Sequence, residues 1–475
     1  MADSLAQRVD WRALWASGDL FRFCFISLGI LLHSTNETMV VTILPALVRD
    51  LASVQLVGWA FAVYELGAII AGAAGGRLTS YISLRATLVA AALVYSTGAL
   101  ICATAPDMPI FLAGRLVAGL GGGALVALAF VSVERLFPRA IWPQLFGVIS
   151  AIWGVAAFSG PLIGALFVEH STWRWGFATF VGLGLVAAVT ALFVLRGPQA
   201  TRPKNDGRTL PPFPYLTLGS LAASVILIAT AGVGIAPLRS SLLLAAGMAG
   251  IAVFFMLDAR VPAVRLFPSR PLDPRTPVGN GITMVAAFSL ATCSFAVYGP
   301  IVLQTLHGVS VLSTGYIIVS ESIAWSVLSI VVAGAPPHRE RSIVLIGALM
   351  IAGGLAGFAW AVPAGNIPAI LFCAILQGGG FGMAWPFVTR IIVAAAPPSE
   401  QTVASSAVPT MQRTGYAVGA ASCGIIANVS GFSHGLSGET AAGVASWLFI
   451  AYFPLAALGC IAAWRLTKDR SSGNR

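Results

Sequence analysis

The chain holds 475 residues, 57% of them hydrophobic and only 9% charged, where soluble globular domains carry about 25% charge; a soluble fold is excluded. A net charge of +10 would suggest a nucleic-acid partner in a soluble protein, but here the charges cluster between long apolar runs, which points to the anionic inner face of a membrane instead. The six cysteines, Cys24, Cys102, Cys293, Cys373, Cys423 and Cys460, all fall inside apolar runs and form no CxxC, so they read as small buried hydrophobes with no disulfide or metal framework.

Apolar runs of about twenty residues, enough to cross a bilayer as helix, recur along the whole chain. The pattern predicts fourteen spans at 22–48, 57–78, 86–105, 109–133, 143–168, 174–195, 215–236, 240–257, 276–304, 310–334, 342–362, 367–391, 402–428 and 441–464. With the N-terminus in the cytoplasm, Arg49, Arg174 and Arg239 fall outside and Arg115 and Arg413 within the membrane. Every other lysine and arginine is then cytoplasmic, a bias that sets the orientation and puts both termini inside. The first span carries no small-residue cleavage site, so it reads as retained. The connections at 196–214 and 258–275 are the most polar and proline-rich. They divide the chain into a cytoplasmic segment 1–21, a six-span half 22–195, a central segment 196–275 with a two-span hairpin, a second half 276–464, and a cytoplasmic tail 465–475. Short loops and an Ala/Gly-rich composition point to a bacterial inner membrane.

Taken in order, the first span places His33, Asn36 and Glu37 together, followed by Thr38 and, seven residues on, Pro45. His33 and Glu37 are four apart and share a helix stripe. An acid at mid-membrane is costly enough that function is its default reading, with a protonated structural carboxyl as the alternative. Asn36-Glu37-Thr38 formally matches a glycosylation acceptor, but it lies mid-span. The second span brings Trp59, Tyr64 and a further acid, Glu65, which reads as a second protonation or cation site or as one half of a local ion pair. The loop after it reads Gly76, Arg77, Leu78, Thr79, Ser80, Tyr81, Ile82, Ser83, Leu84, Arg85. In the fourth span Arg115 is followed by Gly119, Gly121 and Gly122. Being always charged, it must find a carboxylate or carbonyls, or else snorkel outward.

The fifth span sets Gly147, Ser150, Gly154, Ala157, Gly160 and Gly164 on an arc of about 140°. Only Trp153 adds bulk there, so a neighbouring backbone can come close. Pro161 removes the donor for the Ala157 carbonyl and predicts a bend. Trp173-Arg174-Trp175 opens the next span. In the second half, Glu321 and Arg413 lie near the middle of spans ten and thirteen, where they either pair or face a cavity. Trp325, Gln377 and Trp385 add polar and stacking contacts to such a cavity.

These motifs carry a resemblance. Gly154-x5-Gly160-Pro161-x2-Gly164 with Trp173-Arg174-Trp175 resembles the antiporter motif of segment five in the major facilitator superfamily, in particular its fourteen-helix drug:proton antiporters. Thr38-x6-Pro45 is similar to the family's D-x-T-x6-P, with Asn36 at the acid's place and Glu37 beside it. Arg115-x3-Gly119-x-Gly121 is similar to R-x2-Q-G-x-G, with Ala118 for the glutamine. Gly76, Leu78 and Arg85 keep part of G-x-L-x-D-R-x-G-R-R, while Ser80 replaces the acid and Ser83 the second glycine. Ser80 is left as a possible helix cap, without the charge that latches one conformation in the family.

The resemblance implies an all-α membrane protein with two six-helix bundles, each of three-helix inverted repeats, and an inserted hairpin, with the substrate site near the midplane. It implies a proton-handling group of Glu37, Arg115, His33, Asn36 and Glu65, with Arg115 paired to Glu37 or Glu65. It implies a substrate cavity touched by Glu321, Arg413, Gln377, Trp385 and Trp325, and a conformational motif of Gly154, Gly160, Pro161, Gly164, Gly76 and Arg85.

No phosphate-binding loop, His/Cys metal spacing or G-x-S-x-G is present, so neither an enzyme nor a nucleotide-driven pump is indicated and no metal or cofactor is expected. The sequence reading is a monomeric secondary transporter that exchanges protons for amphipathic or lipophilic small molecules across the lipid bilayer, with no nucleic-acid partner. The alternatives are a same-fold symporter or uniporter importing a metabolite and a lipid-handling membrane protein. The span-five motif weighs towards antiport.

Overall fold

A computed structural model of the protein describes residues 19–138, 141–196, 213–261, 265–432 and 438–468. Most of the 1–21 segment, the 196–214 connection and the 465–475 tail lies outside the described residues. Those described are helical, with no strand among them. The helices are α1 (Asp19–Asp50), α2 (Val57–Tyr81), α3 (Leu84–Thr104), α4 (Met108–Leu136), α5 (Trp142–His170), α6 (Trp173–Val194), α7 (Tyr215–Ala231), α8 (Pro237–Arg260), α9 (Pro277–Leu306), α10 (Val311–Val332), α11 (Glu340–Ala364), α12 (Ile367–Ala395), α13 (Gln401–Val429), α14 (Gly438–Ile450) and α15 (Phe453–Lys468).

Each predicted span falls on a helix, with one correction. The last span is two helices, α14 and α15, instead of one. Pro454 opens α15 and has no N–H to give the Ile450 carbonyl, and at the break Tyr452 turns inward, its hydroxyl 2.7 Å from Ser422 Oγ. Among the described residues, twelve helices are long and apolar enough to cross a membrane, α14 and α15 contributing one such stretch between them; α7 is apolar but has 17 residues. α13 is long enough, yet Gln412, Arg413 and several hydroxyls keep it too polar to be counted with them.

Polar residues in the short loops end the spans. Ser83 caps α3, its Oγ accepting from Ala86 N at 3.2 Å, and Asp107 caps α4 through Ile110 N at 2.9 Å. Thr172, Thr276, Ser310 and Asn366 cap α6, α9, α10 and α12 in the same way, each satisfying a backbone donor that the first turn leaves free. This corrects the role of Ser80, which lies inside α2; the capping serine is Ser83, where the family has glycine.

The chain forms two compact units, Met1–Val40 with Gly67–Leu210, and Val41–Leu66 with Pro211–Arg475. In the first, α3 packs on α4 and α6, and α5 on α6. Glycines make these contacts close: Gly121 of α4 lies on the Tyr95 backbone of α3, and Gly98 of α3 on the Ala118 backbone of α4. In the second, α12 lies between α10 and α11, α9 packs on α13 and α15, and the hairpin α7–α8 docks through α7 on α13. Asn428 of α13 holds this last junction, its Nδ2 donating to Gly232 O at 2.7 Å and Gln55 O at 3.2 Å.

The polar 258–275 connection is folded where it is described. Asp258 accepts from Leu266 N at 2.7 Å and Phe267 N at 3.1 Å, and Phe267 is buried against Phe254. Glu400, at the start of α13, accepts from Ser269 N and Oγ at 2.8 and 2.9 Å.

Candidate functional site

Two polar groupings lie inside the apolar helices, one in each unit. In the first unit, one turn of α1 carries His33, Asn36 and Glu37. His33 and Asn36 are fully buried, and the Glu37 side chain is 25% exposed. His33 Nε2 lies 3.6 Å from Glu37 Oε2, as their four-residue spacing foretells. Trp153 of α5, the bulky residue on the small-residue arc, meets the His33 ring edge-on at 6.2 Å.

Arg115 is also fully buried, so it does not snorkel. Its Nη1 donates to Asn36 Oδ1 at 2.6 Å, while Glu65, in the other unit, accepts from Arg413. The amide at the family's acid position therefore accepts a charge-assisted hydrogen bond without a charge of its own. Ala118, at the place of the family's glutamine, lies against Gly98 of α3. A longer side chain there would run into that helix.

The fifth-span motif is where α5 meets α1. The helix continues through Pro161, and Gly160 lies directly on the Thr38 hydroxyl and the Thr35 carbonyl. Thr38 Oγ1 donates to Ser34 O at 3.0 Å and to Ala156 O at 3.1 Å, and Thr35 Oγ1 is 3.4 Å from Ser159 Oγ. Gly164 is buried and Gly154 partly so. Gly76 lies in the last part of α2, and Arg85 in the first turn of α3. Nearby, Arg135 at the end of α4 donates to Thr79 Oγ1 at 2.6 Å, one residue before the position where the family's acid is Ser80.

In the second unit, α10 and α12 face each other in matched turns. Glu321 and Trp325 on α10 are four apart, as are Gln377, Phe381 and Trp385 on α12, so each set forms a stripe. Gln377 Nε2 donates to Glu321 Oε1 at 2.9 Å. One turn on, Trp325 stacks on Phe381 with centroids 4.9 Å apart and planes 5° from parallel. Trp385 meets Phe381 at 4.6 Å, and its Nε1 donates to Gln412 Oε1 of α13 at 3.2 Å. Gln412 in turn donates to the Tyr416 hydroxyl at 3.0 Å.

Beside Gln412, Arg413 Nη1 donates to Glu65 Oε2 at 3.0 Å. The sequence alternative of a Glu321–Arg413 pair is thus corrected: Arg413 takes the carboxylate of α2, and Glu321 keeps an amide. Residue spacing within one helix exposes the stripes, but which helices face each other is a tertiary fact, and Phe381, Gln412 and Tyr416 carry no signal that sets them apart from ordinary packing residues. Among the described residues no group of three or more His, Cys, Asp or Glu side chains could hold a metal ion.

The family model of the Major Facilitator Superfamily matches residues 26–420. The chain belongs to that superfamily. It is 28% identical over 492 residues to the Mycobacterium tuberculosis H37Rv protein named "Probable multidrug-efflux transporter Rv1634", with 99% of each chain covered. It is 24% identical over 369 residues to the "Multidrug efflux pump SdrM" of Staphylococcus aureus N315, covering 74% of this chain and 77% of that one. Among solved structures, a D-xylose-proton symporter superposes with a TM-score of 0.66 at 16% identity, covering 95% of this chain and 97% of that one. The POT family transporter PepTSo also gives 0.66, at 13% identity and coverage of 96% and 99%. These superpositions show a shared fold. The protein is a multi-pass membrane transporter and not an enzyme, and the apolar side chains left exposed on its helices, such as Leu238, Leu242 and Met256 of α8, suit a lipid surround.

Proposed function

We propose that the protein exports amphipathic or lipophilic small molecules across a bacterial inner membrane in exchange for protons, with both termini in the cytoplasm. The observation that carries the reading is the grouping on α1: a partly exposed carboxylate, Glu37, one turn from a buried histidine and next to the amide that holds a buried arginine. A proton on such a carboxylate removes a charge from the membrane interior, where a charge is costly. In an antiporter, substrate and proton occupy the site alternately, so each drives the other's release.

The direction of transport rests on two supports: both relatives are named as efflux proteins, and α5 lies closely on α1. Gly160 adds no side chain of its own at the crossing, so the α5 backbone lies directly on the Thr38 hydroxyl and the Thr35 carbonyl of α1. The transport cycle on this reading is one of alternating access.

The test is substrate-induced proton release from dye-loaded proteoliposomes, after a compound panel in everted vesicles has identified a substrate. Glu37→Gln keeps the shape of the protonated acid. Retained substrate binding with loss of proton-driven accumulation is the expected result; unchanged proton release in this variant would overturn the role of Glu37.

A further inference from the structure

The mid-span carboxylate of Glu321 on α10 is satisfied differently from those of Glu37 and Glu65. Among the described residues no cation pairs with it, and its hydrogen-bond partner is the amide of Gln377 at 2.9 Å. Gln377 is 1% exposed, and its Oε1 is buried with no donor facing it. The two helices are held in register at this point, because Gly378 lies on the Glu321 carbonyl and Gly382 on the Trp325 carbonyl. With the acid ionised, the pair therefore presents two acceptor groups and too few donors, and the Gln377 oxygen is closed to water while the Glu321 side chain is partly exposed.

We infer that Glu321 and Gln377 form a proton-binding site in the second unit, additional to the α1 acid of the first and resting on the proton exchange proposed above. One proton completes the pair. It forms an O–H bond on the Glu321 carboxylate, and rotation about the terminal carboxyl torsion lets that O–H donate to Gln377 Oε1. The other carboxyl oxygen goes on accepting from Gln377 Nε2. Acid and primary amide then each donate once and accept once, and the buried Oε1 gains its donor. Loss of the proton returns the carboxylate, so no other bond is made or broken.

The surroundings leave this pair to itself. α10 packs on α12 and α9. On α12, the other titratable groups are Cys373, which faces Gly354 and Gly357 of α11, and Arg390, which pairs with Glu340. On α9, Cys293 donates to Ser289 O and Tyr416 O, and Tyr298 packs on Phe432. The glutamine is the group that answers a change of charge on Glu321. Trp325, Phe381 and Trp385 follow within two turns, so an apolar substrate seated on those rings would sense whether the acid beside them is charged.

The direct test is infrared titration of the purified protein in lipid without a gradient, reading the carbonyl band of protonated carboxyl groups. Glu321→Gln should remove one titrating band present in the wild type. Gln377→Leu, which keeps the acid but removes both amide contacts, should move that band and its titration midpoint. A spectrum unchanged by both substitutions overturns the site, and a midpoint that shifts with sodium at fixed ionic strength assigns it to an alkali cation instead of a proton. The second measurement is the proton-to-substrate ratio in proteoliposomes. It should fall by one in Glu321→Gln while Glu37→Gln removes a different proton; a ratio unchanged in Glu321→Gln means that the site does not exchange. A wild type that releases no protons on substrate addition would defeat the antiport reading, yet the infrared result would still decide whether Glu321 binds a proton.

Discussion

Arg413 donates to Glu65 at 3.0 Å, joining two residues 348 positions apart in the sequence inside one compact unit. The Glu65 side chain is 5% exposed and that of Arg413 20%. Removing one partner of such a pair strands the other charge, which costs about 3–5 kcal/mol when burial is complete. The residual exposure of Arg413 puts Glu65→Leu near the lower end of that range. Replacing both, as Glu65→Leu with Arg413→Met, should cost clearly less than the two single effects added together. Thermal unfolding of the four proteins in detergent gives the coupling directly; strict additivity would show that the two side chains do not stabilise each other.

The contact of Gly160 on Thr38 predicts a packing effect that its counterpart in the second unit should share. There, Cys293 of α9 donates to Ser289 O as Thr38 donates to Ser34 O, and Gly419 of α13 lies on Cys293 as Gly160 lies on Thr38. Each of the two polar residues is followed seven positions later by a proline inside the helix, Pro45 or Pro300. Gly160→Leu and Gly419→Leu should both abolish transport and sharply reduce folded yield, since bulk at a close helix crossing cannot be absorbed. Pro161→Ala restores a backbone donor and should lower turnover only mildly. Size-exclusion profiles and initial transport rates check all three, and a Gly160→Leu protein with normal rates would refute the close-packing account.

The spans, and the stripes on them, were legible because a helix in lipid must be long, apolar and internally hydrogen-bonded. The His33–Glu37 contact was legible for the same reason, being four residues apart on one helix. The partners of Arg115, Arg413 and Glu321 were not. Each lies on a different helix, and at mid-membrane depth several opposite charges or amides are equally good candidates until the packing is known. Glycine spacing held part of that information: Gly119, Gly121 and Gly123 in α4 are matched by Gly378, Gly380 and Gly382 in α12, the same spacing in each half. Read as a repeat, it marks both helices as closely packed on two sides. The break at Tyr452 was hidden because the apolar run continues through it unchanged.

The folded connection after α8 separates two kinds of carboxylate. Asp258 is 4% exposed and holds the N–H groups of Leu266 and Phe267, so Asp258→Ala leaves buried donors unmet, at about 2 kcal/mol. Glu400 makes its bonds to Ser269 at an exposed site, where water can replace the lost partner. Glu400→Ala should cost less than half as much. Unfolding midpoints of the two variants, measured side by side in the same lipid, should fall in that order; the reverse order would mean that the connection is held from α13 and not from α8.

The amide of Asn36 offers the sharpest test of how the first unit holds its buried cation. Arg115 Nη1 donates to Asn36 Oδ1 at 2.6 Å with both residues fully buried, and a hydrogen bond to a charged group contributes about 1.5–3 kcal/mol. Asn36→Leu removes the acceptor at similar volume and should lose about 2 kcal/mol of stability. Asn36→Asp keeps the acceptor and adds the family's charge, so it should hold its fold at least as well, now with an ion pair in place of an amide contact. Because this new carboxylate is engaged by Arg115, the proton released on substrate binding should still come from Glu37. Asn36→Asp should therefore release as many protons per substrate as the wild type does, while Asn36→Asp combined with Glu37→Gln should release no more than Glu37→Gln alone. Proton release measured in both and in Glu37→Gln alone, beside their unfolding midpoints, decides the point: more release in the double variant than in Glu37→Gln would place an exchangeable proton at position 36, where the family motif has an acid.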